Sequence, residues 1–248
     1  MNIINFVSGA KMGDFIHSLY AVKNICEQRN TKANLMLDYT GDFWTYSIEK
    51  AYDDLYPIIS KQSYINKFGY TAYNLEEFIN LNDWRKEVAK THAETGKYNK
   101  CWSELLSSYY GFEIPNEYKW LEVNEVDENT KGKVVIHRST HHHTSIKFWE
   151  DQINSLGEVP LFVTTNISEF EQFPYNYLTK PYILKTVSEW IVSIASCKYF
   201  IGNQSAGFAI ASALDKERLC ELYLDAAPFY QNENKYSKNI KLFPANEV

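Results

Sequence analysis

The sequence has few cysteines and none of the spacings that give cysteine a task. Cys26, Cys101, Cys197 and Cys220 are far apart and form no C-x-x-C pair, which excludes a zinc cage or a disulfide framework and points to reduced thiols in a cytoplasmic setting. Long hydrophobic runs are also missing. No stretch approaches the roughly 20 apolar residues that cross a bilayer, and no charged-then-apolar leader precedes the first strand. Any membrane contact is therefore expected to be peripheral. Basic excess is lacking too: 25 Lys and Arg stand against 31 Asp and Glu, a net charge of −6. That balance gives no global field for nucleic acid, so a nucleic-acid partner is not favoured. Three nucleotide or nucleophile signatures are absent: G-x-S-x-G, a Gly-rich turn followed by a P-loop lysine, and G-x-G-x-x-G. Their absence disfavours an α/β-hydrolase, a P-loop NTPase and a hydride-transfer enzyme.

What is present is alternation. The 248 residues are 45% hydrophobic and 16% aromatic, enough for one large domain or two small ones. Asn2–Val7 reads as a buried strand. Ser8–Asp14 is a loop with two glycines, and a helix runs from about Phe15 to Gln28 with Phe15, Leu19, Val22 and Cys26 on one stripe. A strand at Ala33–Leu37 and a helix from Phe43 to Ser60, ended by Pro57, follow. Residues 63–82 are aromatic and irregular; helices are expected over 83–90 and 100–110. The acidic stretch Val123–Gly132 is the expected linker. The alternation then restarts with a strand at Lys133–Ile136, a helix from Ile146, a strand at Val159–Val163 and a short helix from Ser168. Thr186 and Glu189 have capping-box spacing ahead of another helix, and Arg218–Leu222 is the closing strand. The pattern predicts an α/β protein of two Rossmann-like lobes with mostly parallel sheets. The expected divisions are 1–124, 125–230, and a tail, 231–248, packing back on the first lobe.

The stretch that organises the second lobe is Ile201-Gly202-Asn203-Gln204-Ser205-Ala206-Gly207-Phe208. An apolar strand from Lys198 breaks at a polar turn, and a helix of small residues follows. The first turn of that helix would direct N–H groups and partial positive charge out of the sheet's carboxyl edge, a geometry that binds phosphate. The same pattern also serves as an ordinary strand-to-helix junction. Arg138 and Lys147 both follow a strand end in the second lobe, where a diphosphate could lie on a helix N-terminus. Asp14 has two readings: an N-cap for the first helix, or a carboxylate at the mouth of a cleft, placed to take a proton, with His17 one turn on at the same rim. His141, His142 and His143 raise a zinc-hydrolase reading, but adjacent residues point different ways and no acidic residue stands at helical ligand spacing, so no metal site is expected.

The order of these motifs resembles the heptosyltransferase-like glycosyltransferases of the ADP-heptose–lipopolysaccharide type, which have the GT-B fold. Their early G-D-x-x-x-[ST]-L is matched by Gly13-Asp14-Phe15-Ile16-His17-Ser18-Leu19. Their hydroxyl-rich loop and K-x-W are matched by Ser139, Thr140, Thr144 and Ser145 ahead of Lys147-Phe148-Trp149. Their late G-N-D-S-G turn is matched by Gly202–Gly207. The resemblance implies an inverting, metal-independent glycosyltransferase. Its donor is a nucleotide-diphosphate sugar and its acceptor a hydroxyl on a glycan or lipid-linked sugar; no separate cofactor is required. It implies Asp14 as general base, with Gly13 and His17 on the acceptor side. Arg138, Ser139, Thr140, Thr144, Lys147, Asn203, Gln204, Ser205, Ala206 and Gly207 would line the donor site. Two positions depart from the family: Gln204 replaces its usual Asp, and Ala209 stands where many members have His. A non-catalytic nucleotide- or sugar-binding module on the same fold is the alternative.

Overall fold

The computed structural model describes residues 2–9, 11–38, 47–71, 77–96, 98–141, 147–223 and 228–243. The chain divides into two compact units, Met1–Glu122 and Val123–Val248. The boundary falls at the start of the acidic stretch expected as a linker. That stretch is only partly a linker, because from Asp127 onward it is tied to the second unit. Asp127 N–H donates to Ser196 Oγ at 2.8 Å, and the buried Thr130 hydroxyl donates to the Ser193 carbonyl at 3.0 Å.

The first unit carries β1 (Asn2–Ser8), α1 (Met12–Gln28), β2 (Thr31–Asp38), α2 (Ile48–Ile59), β3 (Ile65–Thr71), β4 (Ile79–Asn80), α3 (Trp84–Thr95) and α4 (Trp102–Tyr110). The sheet order is β3-β2-β1-β4, all parallel. Phe6, Val7, Leu35 and Leu37 of the sheet and Phe15, Leu19 and Val22 of α1 are all buried, where α1 packs on β1 and β2. Burial runs along nearly the whole of α1, from Phe15 to Cys26, wider than the single stripe its periodicity shows. The helix starts three residues earlier than Phe15, because Lys11, not Asp14, is its N-cap. Pro57 lies inside α2 rather than ending it; only one turn-closing hydrogen bond is forfeited and the helix stops at Ile59. Residues 43–46 of the expected helix lie outside the described residues. The two strands β3 and β4 sit in the aromatic region 63–82, where the sequence shows no clear period.

The second unit carries β5 (Val134–His137), α5 (Lys147–Ser155), β6 (Leu161–Thr164), α6 (Ile167–Glu171), β7 (Lys180–Ile183), α7 (Val187–Ser196), β8 (Tyr199–Asn203), α8 (Ala206–Ala213), β9 (Arg218–Glu221), α9 (Pro228–Gln231) and β10 (Ile240–Phe243). Its sheet order is β10-β9-β8-β5-β6-β7, again all parallel. This is the doubly wound order of a dinucleotide-binding sheet. β5 and β9 are buried along their full lengths, as strands covered on both faces must be. The tail corrects the expectation that it packs on the first lobe. Ile240–Phe243 is the edge strand of the second sheet, in register with Arg218–Glu221. An apolar segment after a polar loop finds its backbone partners on the nearest open sheet edge. Gly202 and Asn203, expected in the turn, belong to β8, so the turn is only Gln204-Ser205.

Candidate functional site

In each sheet the chain starts in the middle, adds strands to one side, then crosses to the other. The crossing leaves a crevice at the carboxyl ends of two neighbouring strands, where the loops diverge and a ligand can enter. In the second unit those strands are β5 and β8, paired so that His137 stands opposite Gly202. The loop after β5 and the turn after β8 therefore meet, and they are the two stretches carrying most of the sequence-expected donor residues.

Asn203 joins them. Its side chain is fully buried; Oδ1 accepts from Ser139 N–H at 3.0 Å, while Nδ2 donates to Ser139 Oγ at 3.0 Å and to the His141 carbonyl. Asn203 thus positions the 138–141 loop, so its amide is turned to protein groups instead of to a ligand. Gln204 behaves likewise: Oε1 accepts from Tyr223 N–H at 2.6 Å, tying the β8 turn to the segment after β9. Ala209 is fully buried in α8.

Ser205 is the N-cap of α8, in extended conformation, and its side chain makes no capping bond to the helix's first turn. Ala206 and Gly207 open that turn. Gly207 is required by contact: a Cβ there would stand 2.9 Å from His137 Nδ1 and 2.9 Å from Trp190 Cζ2. The His137 imidazole is thus packed directly under the first turn of α8, edge-to-face with Trp190 at 4.6 Å and almost wholly buried. Nδ1 lies 3.2 Å from Ser205 Oγ, and Nε2 lies 3.2 Å from Glu169 Oε2. Glu169 also accepts from the Thr164 hydroxyl. Burial alone would push the Glu169 carboxyl up, but its contact with His137 and the Thr164 hydrogen bond hold it below the ordinary glutamate value. His137 and Glu169 were not among the residues expected from sequence. A partial signal existed: Asn166 caps α6 and Glu169 stands three residues on, at capping-box spacing. Such a glutamate ordinarily turns back to the N-cap N–H; here it turns to the imidazole.

Arg138 corrects a sequence expectation. Its guanidinium is buried in a bidentate pair with Glu221 at the end of β9, Nε to Oε2 at 2.9 Å and Nη2 to Oε1 at 3.1 Å. A fork engaged this way with a fully buried carboxylate braces the loop against β9 and is not presented to a phosphate. Thr140 is exposed. Thr144, His142 and His143 lie outside the described residues, as does the side chain of Lys147, which opens α5. Among the described residues, no group of three or more His, Cys, Asp and Glu side chains is arranged to hold a metal ion.

The first unit has its own crossing point, between β1 and β4. Asp14 is the third residue of α1, in the helix's first turn, which a carboxylate stabilises through the helix dipole. It forms an ion pair with Arg85, the second residue of α3, whose guanidinium lies 4.4 Å above the Trp84 ring. The capping role considered for Asp14 is therefore overturned, since Lys11 takes that position. Gly13 precedes it in the same half-buried turn. His17 is also corrected. Instead of sharing an exposed rim it is 2% exposed, stacked on Trp102 at 4.4 Å with the planes 10° apart. One turn of helix carries it from the mouth of the crevice into the aromatic core, with Trp120 on its other flank at 6.1 Å.

All four cysteines are reduced and buried, and burial raises the thiols of Cys26, Cys197 and Cys220. They are packing residues. Among the described residues no helix is long and apolar enough to cross a membrane.

No family model matches the chain, and no curated protein matches it by sequence. Its structure, however, is similar to those of known proteins along almost its full length. The E. coli heptosyltransferase WaaC with ADP superposes with a TM-score of 0.62 at 13% identity, over 99% of this chain and 95% of that one. E. coli ADP-heptose lipopolysaccharide heptosyltransferase II gives 0.56 at 10% identity, over 98% and 90%. A family 9 glycosyl transferase from Veillonella parvula gives 0.55 at 9% identity, over 97% and 85%. The likeness is one of fold: the chain has the α/β architecture with two parallel sheets found in these transferases.

Proposed function

We propose that this protein is a glycosyltransferase that moves a sugar from a nucleotide-diphosphate sugar to a hydroxyl acceptor. The observation that carries the reading is the crevice of the second unit. A doubly wound sheet in a glycosyltransferase-type fold brings the α8 N-terminus, its cap Ser205 and the 138–141 loop together at the β5–β8 crossing. Such a crevice suits a nucleotide, and a helix start suits its diphosphate. The fold relatives include a heptosyltransferase whose structure holds ADP.

In this reading the leaving diphosphate rests on the N–H groups of Ala206 and Gly207, with Lys147 at the start of α5 adding positive charge. Offsetting the charge of the departing group is the main electrostatic task. Those groups take the part that a metal ion plays elsewhere, so transfer is expected to proceed in the presence of a chelator. Asp14 removes the proton from the acceptor hydroxyl, and Arg85 fixes the direction of its carboxylate. A single in-line displacement would invert the anomeric centre. The acceptor class remains a glycan or lipid-linked sugar, as the resemblance implies.

Nucleotide release from ADP- and UDP-sugars, measured with and without sugar acceptors, tests the reading together with Asp14→Asn. The expected result is wild-type transfer, and an Asp14→Asn protein that still binds donor but turns over roughly 10²–10⁴-fold more slowly. An Asp14→Asn protein with undiminished rate removes Asp14 as the base. A wild type that binds donor and transfers nothing to any acceptor supports the binding-module alternative.

A further inference from the structure

We propose that His137, held by Glu169, is a positioning residue for Ser205 at the donor diphosphate, and that donor binding takes up one proton on His137. This rests on the reading of the crevice as a diphosphate site. The argument begins with donors and acceptors. An ionised carboxylate only accepts, so Glu169 demands a proton on Nε2 of His137. That fixes the tautomer of the neutral ring and leaves Nδ1 as the atom facing Ser205 Oγ.

Two states follow. With a neutral ring, Nδ1 is an acceptor, and it draws the Ser205 O–H toward itself. Ser205 Oγ then presents only lone pairs to a ligand beside the first-turn N–H groups of α8, and they oppose phosphate oxygens. With a protonated ring, Nδ1 donates to Ser205 Oγ, and the hydroxyl proton is released to point elsewhere. Without ligand its acceptor is the Asn203 carbonyl, 3.3 Å away. With a diphosphate at the first turn, a phosphate oxygen is the stronger, charged acceptor. The proton comes from solvent at either half-buried end of the chain, the Ser205 hydroxyl or the Glu169 carboxylate; His137 between them is buried. The ligand's negative charge and the imidazolium then stabilise each other across one side chain.

The groups facing the His137 ring come from the elements packed around it. From α6, Glu169 faces Nε2. From α7 and β6 come the neutral rings of Trp190 and Phe162, at 4.6 and 6.1 Å. From α8 comes Gly207, which has no side chain. The next residue on the chain, Arg138, is matched by Glu221 of β9, a neutral pair. His141 acts electrostatically on Glu169 from the loop. Glu169 is therefore the one carboxylate in contact with the ring among the described groups.

The test is calorimetric titration with ADP-glucose and UDP-glucose, whose diphosphate diesters do not titrate between about pH 5 and 8, where histidine does. Heats measured in buffers of different ionisation enthalpy give the protons taken up. The wild type is expected to take up close to one proton at the alkaline end and progressively fewer toward the acid end. Its affinity falls by about tenfold per pH unit as the pH rises above the value at which the unliganded ring loses its proton. His137→Asn, which keeps a polar atom near Nδ1, is expected to bind weakly, with no uptake and a flat pH profile. Glu169→Gln, which spares the core if the first variant does not fold, is expected to move the profile to lower pH; a purely structural loss would lower affinity equally at every pH. Wild-type binding without proton uptake, or wild-type uptake in both variants, overturns the inference and leaves the diphosphate site standing. Absence of binding of either nucleotide sugar to the wild type overturns the reading of the site and this inference with it.

Discussion

Replacing Asn203 by alanine is expected to disorganise the donor-side loop without touching a ligand contact. The side chain is fully buried at the end of β8 and supplies one acceptor and two donor contacts to residues 139–141. Each such bond contributes about 0.5–1.5 kcal/mol net, and an N–H left buried and unpaired costs about 1–3 kcal/mol. Part of that cost is recovered, because the loop is half-exposed at Ser139 and exposed at His141, where water can enter. The net loss works out at about 2–3 kcal/mol. For a unit of this size that corresponds to a drop of about 10 °C in the second unit's melting transition. Scanning calorimetry resolves that transition, and hydrogen exchange across the 137–141 peptide reads the loop directly. Asn203→Asp separates the two ends of the staple. It keeps an acceptor for Ser139 N–H but sets an oxygen against the His141 carbonyl, so protection at Ser139 is kept while the His141 end loosens. An alanine variant within about 0.5 kcal/mol of wild type, with loop exchange unchanged, would falsify the assignment of Asn203 as the loop's anchor.

Arg138→Met is expected to destabilise the second unit by about 3–5 kcal/mol by taking the guanidinium away from the buried Glu221 carboxylate, with most of the loss recovered in Arg138→Met/Glu221→Leu; urea unfolding of both variants checks this. Gly207→Ala gains up to about 1 kcal/mol of helix preference, yet drives a methyl into His137 and Trp190 at a cost of about 1–3 kcal/mol; thermal unfolding should show a net loss, and a gain would mean the two rings yield. Glu169 has its carboxyl pKa lowered on folding. Its contribution is therefore fully present above the ordinary glutamate value near 4.5 and is lost as the pH falls from there through the folded value. Glu169→Gln should accordingly be less stable at neutral pH and show a flatter acid limb in stability measured against pH.

The alternation of apolar runs with amphipathic stretches made the α/β class, the parallel sheets and the β8–α8 junction legible in the sequence. Those features are set locally, by side-chain periodicity and by turn and capping chemistry. Thr186 and Glu189 show the limit of that legibility at its best, since the capping box they predict forms as expected. The strands β3 and β4 were not legible. Their residues mix aromatic, polar and charged side chains, and only pairing beside β1 and β2 makes them strands.

The roles of the individual polar residues were decided by tertiary structure. A sequence shows that Arg138, Asn203 and Gln204 cluster after strand ends; it does not show that Glu221, Ser139 and Tyr223 arrive there from elsewhere in the chain and claim them. Nor does it show that His17 turns into a stack of tryptophans, or that His137 and Glu169, 32 positions apart, meet beneath Ser205. Local periodicity fixes which elements form because its forces act between neighbours in the chain. Hydrogen bonds and ion pairs are assigned by which groups meet in space after burial has removed water as the alternative partner, and that is known only once the sheets are assembled.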